Sequence, residues 1–392
     1  MKNNNHNPAI EQEKPPVNWV PVTMFAVTTL VSLTAVPAYG LMVGFEAPAW
    51  IACIIITWMT GMAITGGYHR LWSHNAYQAH WSLRIWYALW GAMAFQNSIL
   101  SWSSGHRVHH RYCDDVDRDP YSAKRGLWFS HMGWMLRKYK SGEVNFDNVK
   151  NLMKDPIVVW QHKYYVPIAL GMNIGVPLAL GLLFDDIWGM LLLAGFLRIV
   201  IAHHITFFIN SIAHKWGSQP YTDQNTARDN AFFAFLTHGE GYHNYHHIFQ
   251  NDYRNGIRWF HWDPTKWFIK ACSWVGLTWD LKVVPDFKIQ RARLKMQFQR
   301  AQEKLAKAQA KEASKDAAKL EQWAALLEKE YDEFKVMLNE WTELQAMKYE
   351  ETKRSLAEKW EKAALRTRYK ELEYSLKMQQ QRLKLMTAQF AG

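Results

Sequence analysis

The chain has 392 residues, enough for two or three ordinary domains, and carries 46 Lys and Arg against 35 Asp and Glu, a net charge of +11. Its three cysteines, Cys53, Cys113 and Cys272, form no CxxC pair, so neither a disulfide frame nor a zinc ribbon is signalled. The mean hydropathy of −0.29 looks soluble, but it averages a long apolar region with a charged C-terminal stretch, and 21 tryptophans suit an extended membrane–water boundary.

Residues 1–18 are polar and include Pro15-Pro16; the apolar run that follows is too long for the core of a cleaved leader and reads as a first anchor. A bilayer span takes about 20 apolar residues. Four stretches qualify: Val20 to Val43, Trp50 to Gly67, Tyr164 to Phe184 and Ile187 to Ala213. A further apolar stretch, Trp81 to Trp102, contains Arg84, Gln96 and Asn97, and is expected to lie at the interface as a helix. The connections at Gly44 to Ala49 and Asp185-Asp186 have no Lys or Arg, whereas Tyr68 to Lys163 has thirteen. By the positive-inside rule both termini and that large loop are expected to be cytoplasmic.

From Phe287 to Ala391 there is no Gly or Pro. Leu320, Ala324, Leu327, Tyr331, Phe334, Leu338 and Trp341 keep a 4-3 spacing, and so do Leu365, Tyr369, Leu372, Leu376, Leu383, Met386 and Phe390, with Gln379 at one seam position. Such a narrow stripe predicts a coiled-coil-like helical extension that favours self-association. The expected division is therefore a polar tail (1–18), a membrane domain (19–285) and a helical extension (286–392).

Three histidine clusters fall at the ends of spans or helices facing the cytoplasm. His69 and His74 follow the second span; His106, His109 and His110 follow the interfacial helix; His243, His246 and His247 follow the fourth span, at whose end His214 stands with Asn210 four residues before it. Residues at i, i+3 and i+4 share a helix face, so each HxxHH offers several imidazoles toward one point. Neutral imidazole suits iron, zinc, copper or nickel. Nine ligands exceed one octahedron and fit two ions. Glu240, Asp115, Asp117 and Asp119 are candidates to orient the rings from behind. His6, His80, His131, His162, His203, His204, His238 and His261 are read as bystanders.

At these residues the chain resembles the stearoyl-CoA (acyl-CoA Δ9) desaturase family, from about Trp19 to Phe287. The motifs YHRLWSH, HRVHH with DRDPYSAKRGLWFSHMGW, FFINSIAH and GEGYHNYHH occur in family order. The resemblance implies an all-α membrane protein with four transmembrane helices and a cytoplasmic helical cap holding two irons. Its implied ligands are His69, His74, His106, His109, His110, His214, His243, His246 and His247, with Asn210 approaching one iron through a water. Gln96, Trp102 and Thr206 match the polar trio around the family's substrate bend, and Thr57 and Gly61 fall at the channel floor. Thr57 stands where a bulky residue closes the channel in mammalian members, which implies a deeper channel here.

The implied reaction is O2-dependent introduction of a cis double bond into an acyl chain, with acyl-CoA favoured over acyl-carrier protein or phospholipid. Ser104-Gly105 departs from the basic–acidic pair that meets the CoA head group in the family. Arg107, Arg118, Lys124, Arg125, Arg137 and Lys138 remain available for a phosphorylated head group. No HPGG-type haem segment is visible, so electrons are expected from a separate donor of ferredoxin, flavin reductase or cytochrome b5 type. A bacterial inner membrane is expected, and a nucleic-acid partner is not. Two readings compete: a membrane hydroxylase sharing the histidine-box principle, which the bend trio and His214 disfavour, and a metal transporter, which should carry its ionisable groups at mid-membrane.

Overall fold

The computed structural model describes residues 14–311, 317–353 and 359–389. His6 and most of the polar tail lie outside them. The described chain is almost wholly helical and divides into two compact units, one of residues 1–218 and 225–283 and the other of residues 219–224 and 284–392.

Four helices of the first unit are long and apolar enough to cross a membrane: Trp19–Met42, Ala47–Ser73, Tyr165–Leu183 and Ile187–His214. They match the expected spans to within a few residues, except that the second continues six residues past Gly67. That continuation, Ala63–Ser73, is π-helical and buried throughout, so His69 and Arg70 stand inside the helix instead of after it. A π-stretch widens the turn and is a frequent feature of functional sites. Close packing here needs a glycine: a Cβ on Gly67 would sit 2.7 Å from the Tyr87 side chain of the next helix.

The stretch expected as one interfacial helix is two, Trp81–Met93 and Ile99–Tyr112. Between them Phe95 and Asn97 both take positive φ (53° and 79°), which no helix tolerates, and Ser98 caps the second helix by accepting the Ser101 amide at 3.3 Å. The break sets Gln96 on a corner. The first helix of the pair packs on the second span, with Tyr87, Ala88 and Met93 fully buried, so it belongs to the core rather than to the surface.

The helix ends carrying the histidines lie at one end of the four spans, and the short turns near residues 43–46 and 184–186 lie at the other, joined by a 3.2 Å hydrogen bond from Tyr39 to Asp186. Buried Arg198, in the fourth span, donates to the Met93 carbonyl, to Asn173 and to the Ala194 carbonyl of its own helix, tying three helices together.

In the second unit the charged extension is three helices, Asp286–Lys311, Ala317–Lys353 and Lys359–Gln389. Cross-contacts run in opposite chain directions (Phe287 with Trp341, Phe298 with Phe334; Glu340 with Arg368, Glu330 with Arg382), which makes an up-down-up bundle. Leu327, Phe334 and Trp341 bury against Leu372, Leu376 and Leu383, with Leu294 and Phe298 of the first helix completing the core. The seam residue Gln379 is buried and donates to the Glu330 carbonyl at 2.6 Å. The apolar stripe is thus consumed within one chain. Self-association of the extension would have to use residues other than this seam. Of the expected seam residues, Phe390 and the Leu320 side chain lie outside the described residues.

Candidate metal centre

Nine buried or half-buried imidazoles converge into two groups, and they are the nine that the histidine clusters and the family resemblance single out. One group is His69, His74, His106, His110 and His246; the other is His109, His214, His243 and His247. The second and third clusters each contribute to both groups, because successive positions of an HxxHH helix fan out: His106, His110 and His246 turn to one group, His109, His243 and His247 to the other, while His69 and His74 both join the first.

Within the first group Nε2 atoms stand 2.9 Å apart for His69 and His246, 2.8 Å for His74 and His106, and 3.0 Å for His246 and His110. Within the second, His214 to His243 is 3.0 Å, His243 to His247 3.1 Å and His109 to His247 3.3 Å. A metal–nitrogen bond of about 2.1 Å gives adjacent ligands of an octahedron a separation of about 3.0 Å, and of a tetrahedron about 3.4 Å. The six distances are polyhedron edges. Chains of imidazoles that each point the same nitrogen at one another cannot all be hydrogen-bonded, since each neutral ring has a single N–H. The donor set therefore fits two metal ions, one per group.

The opposite ring nitrogens are held from behind. His109 Nδ1 is 2.9 Å from Asp119, which also accepts the Asp114 and Tyr121 amides. His69 Nδ1 is 3.0 Å from Glu240. His214 Nδ1 is 2.9 Å from the Thr226 hydroxyl, which donates to Asp114 at 2.6 Å. Carboxylates and hydroxyls at Nδ1 fix the tautomer that leaves Nε2 bare for a metal. Of the four acidic candidates, Glu240 and Asp119 take this place. Asp115 pairs with exposed Arg118 instead, and Asp117 is exposed. Asp114 and Thr226 were missed, because no local spacing links residues 112 positions apart. Cys113 lies beside His109 and Asp119, closer than its sequence context suggests. Burial and the two neighbouring Asp push its thiol up, so it stays protonated and is a poor ligand.

Burial opposes ionisation of Glu240, yet His69 and Arg70 hold its carboxyl down at about 2. Arg70 is the hub behind the site. It bonds Glu240 at 2.9 Å, Asp263 at 3.0 Å and the Tyr253 carbonyl at 2.8 Å, and Asp263 in turn accepts the Asn255 and Gly256 amides.

Burial, with the neighbouring imidazoles, holds His74, His106, His110, His246 and His247 well below the usual imidazole range, and burial with His109 takes His243 to about 3. The rings are neutral at physiological pH, as ligands must be. Below pH 6.5 the unfolded chain binds protons that the metal-free folded chain refuses, so folded stability falls as pH drops from about 6.5 toward about 3. Melting of metal-stripped protein should shift downward from about pH 7.5 to about pH 5. An unchanged melting temperature over that range would contradict the burial of neutral rings.

The polar trio also assembles. Gln96 donates to Thr206 at 2.8 Å and accepts from the Trp102 indole at 3.3 Å, and Trp102 stacks on His106 with centroids 4.8 Å apart. Gln96, Thr206, Thr57 and Gly61 line one narrow cavity of about 30 Å3 between the second and fourth spans. His238, read as a bystander, lines it too. Asn210 is half-buried one turn before His214.

The head-group candidates fare unevenly. Arg107 spends its donors on the Ser73, Trp72 and Asn148 carbonyls, and Arg137 bonds the Pro15 carbonyl at 2.7 Å. Arg125 lies over the Phe129 and Tyr139 rings. Lys138 remains exposed. Among the other histidines, His203 meets the Ala94 carbonyl and His162 meets Ser98, which are structural roles.

Two groups of buried or half-buried imidazoles thus lie at one end of four apolar spans. Residues 45–280 match the fatty acid desaturase family model, and the chain belongs to that family. It is a membrane protein. It is 48% identical over 242 residues to the probable acyl-CoA desaturase of Schizosaccharomyces pombe, covering 62% of this chain and 50% of that one. It is 45% identical over 248 residues to acyl-CoA desaturase 1 of Saccharomyces cerevisiae, covering 63% and 48%. It is 40% identical over 229 residues to stearoyl-CoA desaturase 5 of Bos taurus, covering 57% and 68%. The chain thus spans about half the length of the two yeast relatives. These relatives are eukaryotic, which lends no support to the expected bacterial inner membrane.

Proposed function

We propose that this chain is an acyl-CoA desaturase that places a cis double bond in a saturated acyl chain, cis-Δ9 being the favoured outcome, at a pair of iron ions. The observation that carries this reading is the five-and-four convergence of buried Nε2 atoms beside a narrow apolar cavity. Names of the relatives supply the substrate class. The ligands in this reading are the nine histidines, with Asn210 contributing through a water. When bound, a reduced iron pair and O2 supply the oxidising power to remove two hydrogens from adjacent methylenes, with two electrons, two protons and both oxygen atoms leaving as water.

The chain's own residues do the rest. Gln96, Trp102 and Thr206, locked to one another, hold the cavity wall where a bend would pre-set cis geometry, and Trp102 reaches from that wall to the His106 ring. Fixing one pair of carbons in place converts a reaction with many possible sites into one with a single site. Asp119, Glu240 and Thr226 keep the ring tautomers constant through the cycle. In this reading the charge of the basic loop favours a cytoplasmic side for the histidine face and both termini, where a separate donor protein of ferredoxin, flavin reductase or cytochrome b5 type would dock. Lys138 and the free edge of Arg137 remain for the CoA head group.

Expression in a cell that lacks unsaturated acyl chains, followed by mass analysis of its lipids, tests the reading. Desaturation appears as a loss of two hydrogens per chain; a gain of one oxygen would instead support the hydroxylase. Thr57, whose hydroxyl donates to the Cys53 carbonyl at 2.7 Å, lines the cavity. Thr57→Tyr should shift preference to shorter acyl chains by about tenfold in relative kcat/KM. A fixed preference would remove residue 57 from the floor.

A further inference from the structure

Gly61 leaves a notch in the second span on the cavity wall, and a side chain already fills it. A Cβ on Gly61 would fall 2.5 Å from His238 Cε1 and 3.0 Å from each ring nitrogen, so the tip of the imidazole points straight at the backbone of residue 61. On its other side the ring packs against Trp58 with centroids 4.5 Å apart, and Trp58 itself is 42% exposed on the outer surface of the span. His238 is 5% exposed. It therefore stands between the cavity and the outer surface of the protein.

The ring is held there by its backbone. His238 takes φ 56° and Gly239 φ 99° immediately after helix Ala231–Leu236, and the Gly239 amide returns to the Ala234 carbonyl at 2.9 Å. Thr265 donates to the His238 carbonyl at 3.0 Å. A non-glycine residue in the left-handed region, fixed by hydrogen bonds on both sides, has the direction of its Cα–Cβ bond set, and the contacts at Gly61 and Trp58 then hold the ring. Burial takes the imidazole to about 4, so it is a neutral ring, and its Nε2 has no partner among the described residues. A buried unpaired ring nitrogen contributes nothing to stability and asks for another reason to be present.

We propose that His238 is the steric stop of the acyl channel, a specificity-determining residue that sets the longest chain accepted, with Gly61 as the socket that receives it. This rests on the desaturase reading, and it changes what that reading expects of the floor: with Thr57 open, the imidazole at the neighbouring turn takes over the closing role. Removing the ring extends the cavity toward Trp58. Adding a Cβ to residue 61 drives the ring back into the cavity.

The test is competition among an even-numbered ladder of saturated acyl-CoA esters with the full-length enzyme, metal content being measured on each sample. His238→Ala should raise the long-to-short ratio of kcat/KM by at least about tenfold, and Gly61→Ala should lower it. His238→Leu, which keeps the bulk and loses the ring nitrogens, should keep the wild-type ratio. A metal-loaded His238→Ala enzyme with an unchanged ratio overturns the proposal. So does a His238→Leu enzyme that shifts as far as the alanine variant, which would make the nitrogens and not the volume the determinant. Wild-type enzyme that forms no double bond on any ester would sink the desaturase reading instead, and the two failures are told apart by that control.

Discussion

His246→Ala is expected to reduce turnover by more than about a hundredfold, beyond what losing an outer partner of a metal ligand usually costs. His246 Nε2 lies 2.9 Å from that of His69 and 3.0 Å from that of His110, at the middle of the five-imidazole group. Deleting it opens that polyhedron at its most connected vertex, and metal content should fall from about two ions per chain to about one. His109→Ala should do the same to the other group while leaving the first filled, because His109 belongs only to the second. Alanine at exposed His80, which caps the helix Trp81–Met93 and belongs to neither imidazole group, should leave both metal content and turnover near wild type. Full turnover by either cluster variant would contradict the assignment.

Arg70→Met carries the largest expected cost in stability, roughly 3–5 kcal/mol. Arg70 is 1% exposed and holds two carboxylates, Glu240 and Asp263, that are themselves fully buried. With the guanidinium gone, both remain as uncompensated buried charges, and Glu240 also loses one of the two groups that keep it ionised behind His69. Thermal unfolding in detergent should occur at clearly lower temperature, with weaker metal retention in the five-imidazole group. Arg118→Met, which breaks a surface pair with Asp115, is the control and should shift unfolding much less. Equal melting temperatures for Arg70→Met and wild type would show that the hub is not structural.

Much of the site was legible in the sequence because its signals are local. An HxxHH on a helix keeps its imidazoles close together whatever the fold does elsewhere, and the six histidines of the two such motifs converge with His69, His74 and His214. Apolar runs identified the four spans for the same reason: a bilayer demands length, and length is visible. What the sequence concealed depends on backbone conformation or on long-range pairing. The second span's π-helical continuation through Ser73 cannot be distinguished by composition from a helix end followed by a loop. The break between residues 94 and 98 rests on positive φ at Phe95 and Asn97, and Phe is a residue from which no turn would be read.

The supporting shell was harder still. Glu240 and Asp119 stood out because they neighbour the clusters, but Asp114 reaches His214 only through Thr226, which lies on a different segment. Arg70 and Asp263, nearly two hundred residues apart, gave no local signal. The C-terminal stripe illustrates the reverse problem: its 4-3 spacing reports that helices pack, but not whether the partner is another chain or the next helix. Here it is the next helix, since Leu327, Phe334 and Trp341 bury against Leu372, Leu376 and Leu383.

Elemental analysis of the purified, iron-replete protein reaches the central claim most directly. Two clusters of bare Nε2 atoms, five and four in number, predict about two irons per chain, released together with activity by a chelator and restored together on reloading. A preparation that is active with no more than one tightly bound iron per chain, or with none, would contradict it.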